Sequence, residues 1–158
     1  MIQRIQSVYL LVAAIVTIVL LFIPIGYIDT DQYQYIYTCF QVKLNIPDGA
    51  TAMSTIYIAF LLIISAILSV VSILQYKDRM KQIKINSINM IIFLIAIMLM
   101  IYIFPDVIFV RKGLMRPDDF FNFNYWIMVF IIPAVCLFLA NRATKKDEKK
   151  VKAADRLR

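Results

Sequence analysis

Four stretches of this chain carry no charge: residues 5–28, 49–76, 85–105 and 120–141, which are 24, 28, 21 and 22 residues long. A helix rises about 1.5 Å per residue, so even the shortest reaches about 31 Å, roughly the hydrocarbon thickness of a bilayer. No water satisfies peptide groups there, so each stretch has to be helical. A soluble core is excluded by composition. Of the 158 residues 62% are hydrophobic, against about 45–50% in soluble domains. The chain reads as one all-α membrane domain, residues 1–158, built as a four-transmembrane-helix bundle. The expected helices lie near 5–28, 50–76, 85–105 and 120–141. Residues 29–49 and 106–119 form outer loops, 77–84 an inner loop and 142–158 a tail. The second stretch exceeds what a bilayer needs, so that helix tilts or begins outside it.

The first stretch is expected to stay in place rather than leave as a signal peptide. Its apolar run is long for such a segment, and no small-x-small cleavage site closes it. "FIPIGYIDT" instead reads as a helix end broken by Pro24 and Gly26. Four spans put both termini on one side of the membrane. That side holds 13 of the 17 Lys and Arg residues. The other holds Lys43, Arg111, Lys112 and Arg116. Positive charge collects in the cytoplasm, so both termini are assigned there.

The tail carries eight basic residues, Arg142, Lys145, Lys146, Lys149, Lys150, Lys152, Arg156 and Arg158, against three acidic ones. It lacks Gly and Pro and reads as a basic helical extension. Val151, Ala154 and Leu157 recur at three-residue steps and give it a thin apolar seam. One reading is a solvated helix held against anionic lipid, worth about 1 kcal/mol per basic residue near the surface. The other is a docking element for a cytoplasmic partner, such as another subunit or the ribosome.

"MIQRIQSVYLLVAAI", "YKDRMKQIKINSIN" and "LANRATKKDEKKVKAADRLR" resemble a family of small four-helix inner-membrane proteins of Bacteroidota, known as a domain of unknown function, family 4293. The resemblance covers almost the whole chain. It implies a bacterial cytoplasmic membrane with both termini inside. It implies no activity, cofactor or catalytic residue.

The residues themselves offer little chemistry. No Asp, Glu, Lys, Arg or His falls inside any span, which argues against a proton-coupled transporter, a pump or a voltage sensor. There is no histidine, so Ser-His and Cys-His pairs are unavailable and imidazole cannot ligate zinc. No phosphate loop or dinucleotide fingerprint occurs. Catalytic, cofactor and metal sites are therefore expected to be absent, and nothing singles out a nucleic-acid sequence as partner. The two cysteines, Cys39 in the outer loop and Cys136 near the inner end of the last span, lie too far apart to bridge and read as free thiols. Outer carboxylates remain: Asp29, Asp31, Asp106, Asp118 and Asp119. Asp118–Asp119 could pair with Arg116 or hold a cation. "RPDDF" reads more simply as a turn with an Asp N-cap for the fourth helix.

Gln3, Gln6, Gln75, Asn86, Asn89 and Asn141 gather near the inner ends of all four helices. They form either a polar patch for a partner or headgroup, or interhelical hydrogen bonds. Ser65, Ser69 and Ser72 make a small-residue stripe that admits a close helix neighbour, with Ala59 and Ala66 as a second narrow face. Pro133 is expected to bend the fourth helix. In the first outer loop, Tyr33, Tyr35 and Tyr37, then Phe40, Val42, Leu44 and Ile46, alternate with a phase switch near Cys39. Period two predicts a short hairpin. A strand at Val107–Val110 and a turn at Gly113 would extend it into a β-like periplasmic cap, with Tyr125 and Trp126 as interface belt residues. The cap is either a lid or a partner surface.

These features fit a non-enzymatic accessory or scaffold subunit of a larger inner-membrane complex. The alternative is a small lipid- or solute-handling protein with an intrabundle pocket lined by Met98, Met100 or Ser65.

Overall fold

The structure is a computed structural model that describes residues 2–30, 33–46, 49–76, 78–113, 116 and 121–156. Four helices carry the chain: α1 (Ile2–Leu20), α2 (Ile56–Leu74), α3 (Arg79–Met98) and α4 (Ile131–Arg156). Each packs on two neighbours in a closed ring, α1 against α2 and α4, and α3 against α2 and α4. Three helical runs are long and apolar enough to cross a membrane: Ile56–Leu74, Arg79–Phe109 and Tyr125–Val151. A shorter apolar helix covers Ile5–Leu20.

The bundle is apolar outside as well as inside. Ile15, Phe60, Ile91, Val135 and Phe138 are exposed on its four faces, while Gln6, Gln82, Asn86 and Asn89 are buried. Water would reverse that distribution, because exposed hydrocarbon is unfavourable and unpaired buried amides are costly. Between the polar layer and the opposite end lies an apolar middle around Leu10, Ala13, Leu62, Phe93 and Leu137.

Several element boundaries correct the sequence reading. The first helix stops at Leu20 instead of residue 28, because three 3₁₀-type bonds, from Leu21 N to Ile18 O, Phe22 N to Val19 O and Ile23 N to Leu20 O, wind it down ahead of Pro24. Residues 26–29 then form β1 (Gly26–Asp29). The second helix begins at Ile56, since Thr51–Ser54 is spent as a strand, β4. The inner loop of 77–84 shrinks. Asp78 caps α3 by accepting from Lys81 N–H at 3.2 Å, so the helix starts at Arg79. That backbone bond, with the Lys81 side chain beside it, holds the Asp78 carboxyl below the usual carboxylate range. The fourth helix forms from Tyr125 as a 3₁₀ segment (Tyr125–Phe130), capped by Asn124 in place of an aspartate. Asp31, Asp118 and Asp119 lie outside the described residues. α4 then runs without a break through Arg142 to Arg156, so helix and tail are one element. Pro133 is the third residue of α4, just after the winding changes from 3₁₀ to α.

Val107–Val110 is not a strand. α3 continues as a π-helical segment, Leu99–Phe109, with Pro105 inside it. Proline lacks the N–H for an i−4 bond and its ring crowds that carbonyl. Winding to i→i+5 spacing accommodates both problems. The wider turn puts Met100, Phe104 and Phe109, four and five residues apart, in one buried cluster. Gly113, at φ 72°, ends the run in the left-handed region, as the sequence predicts for a turn.

The hairpin expected from the tyrosine alternation is present and larger than foreseen. β2 (Gln34–Tyr37) and β3 (Gln41–Leu44) pair with Tyr35 opposite Leu44 and Tyr37 opposite Val42, across a turn that holds Cys39. With β5 (Phe121–Phe123) the antiparallel order is β4-β3-β2-β1-β5. Residues 121–123, read as the start of the fourth helix, instead supply an edge strand. Gly26 permits this pairing: a Cβ there would stand 2.6 Å from Asn122 O and from the Phe121 ring.

Candidate functional site

Three places concentrate side chains other than simple apolar packing. One is the sheet end of the bundle, where Tyr37 is fully buried. Its ring meets Phe109 edge-on at 5.0 Å and Phe121 at 5.8 Å, and its hydroxyl donates to Met100 O at 3.3 Å. Burial pushes the Tyr37 hydroxyl well above the ordinary phenol range. Cys39 is also fully buried, with its Sγ 3.8 Å from Leu20 O, and burial pushes its thiol up to about 12. Both cysteines are free. Along the upper edge, Asp29 accepts from Gln34 and Asn122, each at 2.7 Å, while Asn45 donates to Gln34 Oε1. Asp29 is therefore tied into cross-strand amide bonds.

The second place is the α2–α3 seam. The Ser65 hydroxyl donates to Asn89 Oδ1 at 2.7 Å, and Asn89 Nδ2 donates to Ser69 Oγ at 2.8 Å. The Ser72 hydroxyl donates to Asn86 Oδ1 at 2.5 Å, and Gln82 Nε2 donates to the Ser72 carbonyl at 3.1 Å. Every one of these residues is buried. The serine stripe and the asparagine pair, read separately from the sequence, are two halves of one ladder. Gln82 belongs to it and was missed, although Gln82, Asn86, Asn89, Phe93 and Ala96 recur at steps of four and three on α3.

The third place joins the ends of α1 and α4. Gln6 Nε2 donates to Asp147 Oδ2 at 2.6 Å, and the Thr144 hydroxyl lies 3.4 Å from Gln6 Oε1. Asn141 Nδ2 donates to Ser87 Oγ on α3 at 3.3 Å. Thr144 and Asp147 are buried here. Sequence reasoning passed over them because a charge run reads as solvated, yet Leu137, Ala140, Thr144 and Asp147 keep helical spacing. Two buried polar atoms have no hydrogen-bond partner among the described residues, Asn86 Nδ2 and Asn141 Oδ1.

The remaining expected site residues spread out. Gln75 is half-buried at the end of α2, and the side chain of Gln3 is outside the described set. Arg142, Lys145, Lys146, Lys149 and Lys150 are exposed along α4. Val151 is exposed. The side chains of Lys152, Ala154 and Arg156, together with Leu157 and Arg158, fall outside the described set, as does the Asp106 side chain. The intrabundle pocket does not assemble as expected: Met98 faces outward, whereas Met100 and Ser65 are buried in separate contacts. Open grooves instead run along α3 and α4. One of about 550 Å³ is floored by Met90 and Phe138 and rimmed by Asn141, Arg142, Lys145, Lys146 and Lys149. Among the described residues no group of three or more His, Cys, Asp or Glu could hold a metal ion.

The model of a family described as "Domain of unknown function (DUF4293)" matches residues 2–157. No curated protein matches the chain.

Proposed function

We propose that this chain, which belongs to the DUF4293 family, is a non-enzymatic integral protein of a bacterial inner membrane that serves as an accessory or scaffold subunit of a larger complex. The observation that carries the reading is the inverted bundle: its helices expose Ile, Leu, Val and Phe while their amides and hydroxyls bond to one another within. Such an interior suits a rigid body better than a reaction chamber. Contact surfaces stand at both ends. Tyr125, 95% exposed, and Trp126 stand beside the sheet. The basic helix of α4 projects from the other end as a contact for lipid or a cytoplasmic partner.

On this reading, electrophoresis under native conditions of protein released from its own membranes by mild detergent gives a band larger than one protomer. Deleting residues 143–158 shrinks that band. A lone protomer in every mild detergent, with nothing co-purifying, would rule the subunit role out.

The positive-inside count supports a topology with both termini in the cytoplasm and the sheet in the periplasm. In intact spheroplasts, a charged, membrane-impermeant maleimide is expected to label Tyr33→Cys and not Lys149→Cys, with the order reversed in inside-out vesicles. The natural thiols should stay silent, Cys39 because it is buried and protonated, Cys136 because it sits in an apolar span. Labelling of Lys149→Cys from outside would overturn the topology.

A further inference from the structure

We infer that the α3–α4 seam binds one anionic glycerophospholipid, its headgroup on Arg142, Lys145, Lys146 and Lys149 and one acyl chain in the apolar groove below. Two adjoining cavities make the case together. The basic groove, about 550 Å³, has an apolar floor of Met90 and Phe138 and no carboxylate among the described residues that line it. The same two side chains begin a second groove of about 270 Å³, continued by Phe93, Leu94, Ala134 and Val135, with almost no polar surface. The apolar groove extends toward the middle of the helices, and the cations follow Asn141, the last residue of the uncharged stretch of α4. Cationic head site and apolar tail site therefore follow one another in the sequence an amphiphile needs. A free phosphate would use only the upper half, and a lipid chain without charge only the lower.

A third observation concerns the junction. Asn141, buried to about nine-tenths, lines the basic groove, and its Oδ1 has no hydrogen-bond partner among the described residues. Its amide nitrogen is engaged by Ser87 on α3. A buried acceptor left bare is costly, and a headgroup hydroxyl of the phosphatidylglycerol kind would supply the missing donor. The phosphodiester would meet the four cations, which are exposed and able to converge on it. This is more specific than a basic tail hovering over a charged surface, because Lys150, on the same helix and also exposed, does not line the groove.

The inference rests on the membrane placement argued above and not on the subunit role, so the two fail separately. The test uses the full-length protein reconstituted in nanodiscs of phosphatidylglycerol and phosphatidylcholine, released into mild detergent and weighed by native mass spectrometry. The wild type is expected to retain one phosphatidylglycerol in preference to phosphatidylcholine. Arg142→Gln/Lys146→Gln/Lys149→Gln should lower that retention by at least about tenfold, judged from the worth of a basic residue at a charged membrane surface. Lys150→Gln should leave it unchanged. Ala134→Phe fills the apolar groove without touching a charge and is expected to lower retention as well, which separates an embedded lipid from a headgroup or free phosphate held at the surface. Equal retention of both lipids, equal loss on Lys150→Gln, or displacement by millimolar inorganic phosphate would each overturn the site.

Discussion

Tyr37→Ala is expected to destabilise the protein by about 3–5 kcal/mol, the range for removing a large buried aromatic ring. The ring is fully buried and stands against Phe104, Phe109 and Phe121, which come from two other parts of the chain. No neighbour is free to close the gap. Phe109 is fixed by the π-helical winding and Phe121 by the β1–β5 pairing. Tyr37→Phe keeps the ring and loses only the bond to Met100 O, so it should cost about 1 kcal/mol. Thermal unfolding in mild detergent, followed by loss of the monodisperse size-exclusion peak, measures both. Equal midpoints for the two variants would show that the aromatic cluster does not hold the sheet to the bundle.

Asn89→Leu should have the second-largest effect, about 1–3 kcal/mol. Two interhelical bonds disappear, each worth about 0.6 and at most about 1.7 kcal/mol in a membrane bundle. Ser65 and Ser69, both buried, each lose a partner. Gln75→Leu is the control. That residue is half-buried at the helix end, and changes at such positions stay within about 0.5 kcal/mol. Denaturation of the pair in mixed micelles of sodium dodecyl sulfate and a mild detergent distinguishes them. If both variants unfold together with the wild type, the serine–asparagine ladder contributes nothing to stability.

The apolar helices were legible from the uncharged runs, three of which fall in helices long and apolar enough to cross a membrane. The hairpin was legible because Tyr33, Tyr35 and Tyr37 alternate at a strand's period. What escaped was decided by contacts distant in sequence. Gly26–Asp29 and Phe121–Phe123 lie at or beside span ends, and pairing makes them strands: the first with both β2 and β5, the second with β1. Val107–Val110 carries β-branched residues, yet Pro105 converts it to a wide helix that faces Tyr37. The polar seam was half visible. Asn86 and Asn89 stood out, as did the serines. Their union depends on the rotation of α2 against α3, which no single-helix pattern contains. Asp147 stayed hidden because its charged neighbours disguised a position that, with Thr144, faces Gln6.

The strand order has a mechanical consequence. β1 to β4 come from the segment between α1 and α2, whereas β5 comes from the segment between α3 and α4. The β1–β5 ladder therefore staples the amino-terminal helical hairpin to the carboxy-terminal one at a single end of the molecule. At the opposite end the two halves are joined by the short chain connection from Leu74 to Arg79 and by side chains such as Gln6 with Asp147 and Ser72 with Asn86. The two halves are thus pinned at both ends, by a backbone ladder at one and by the chain itself at the other, which leaves the α1–α4 side of the basic end as the seam with no covalent tie.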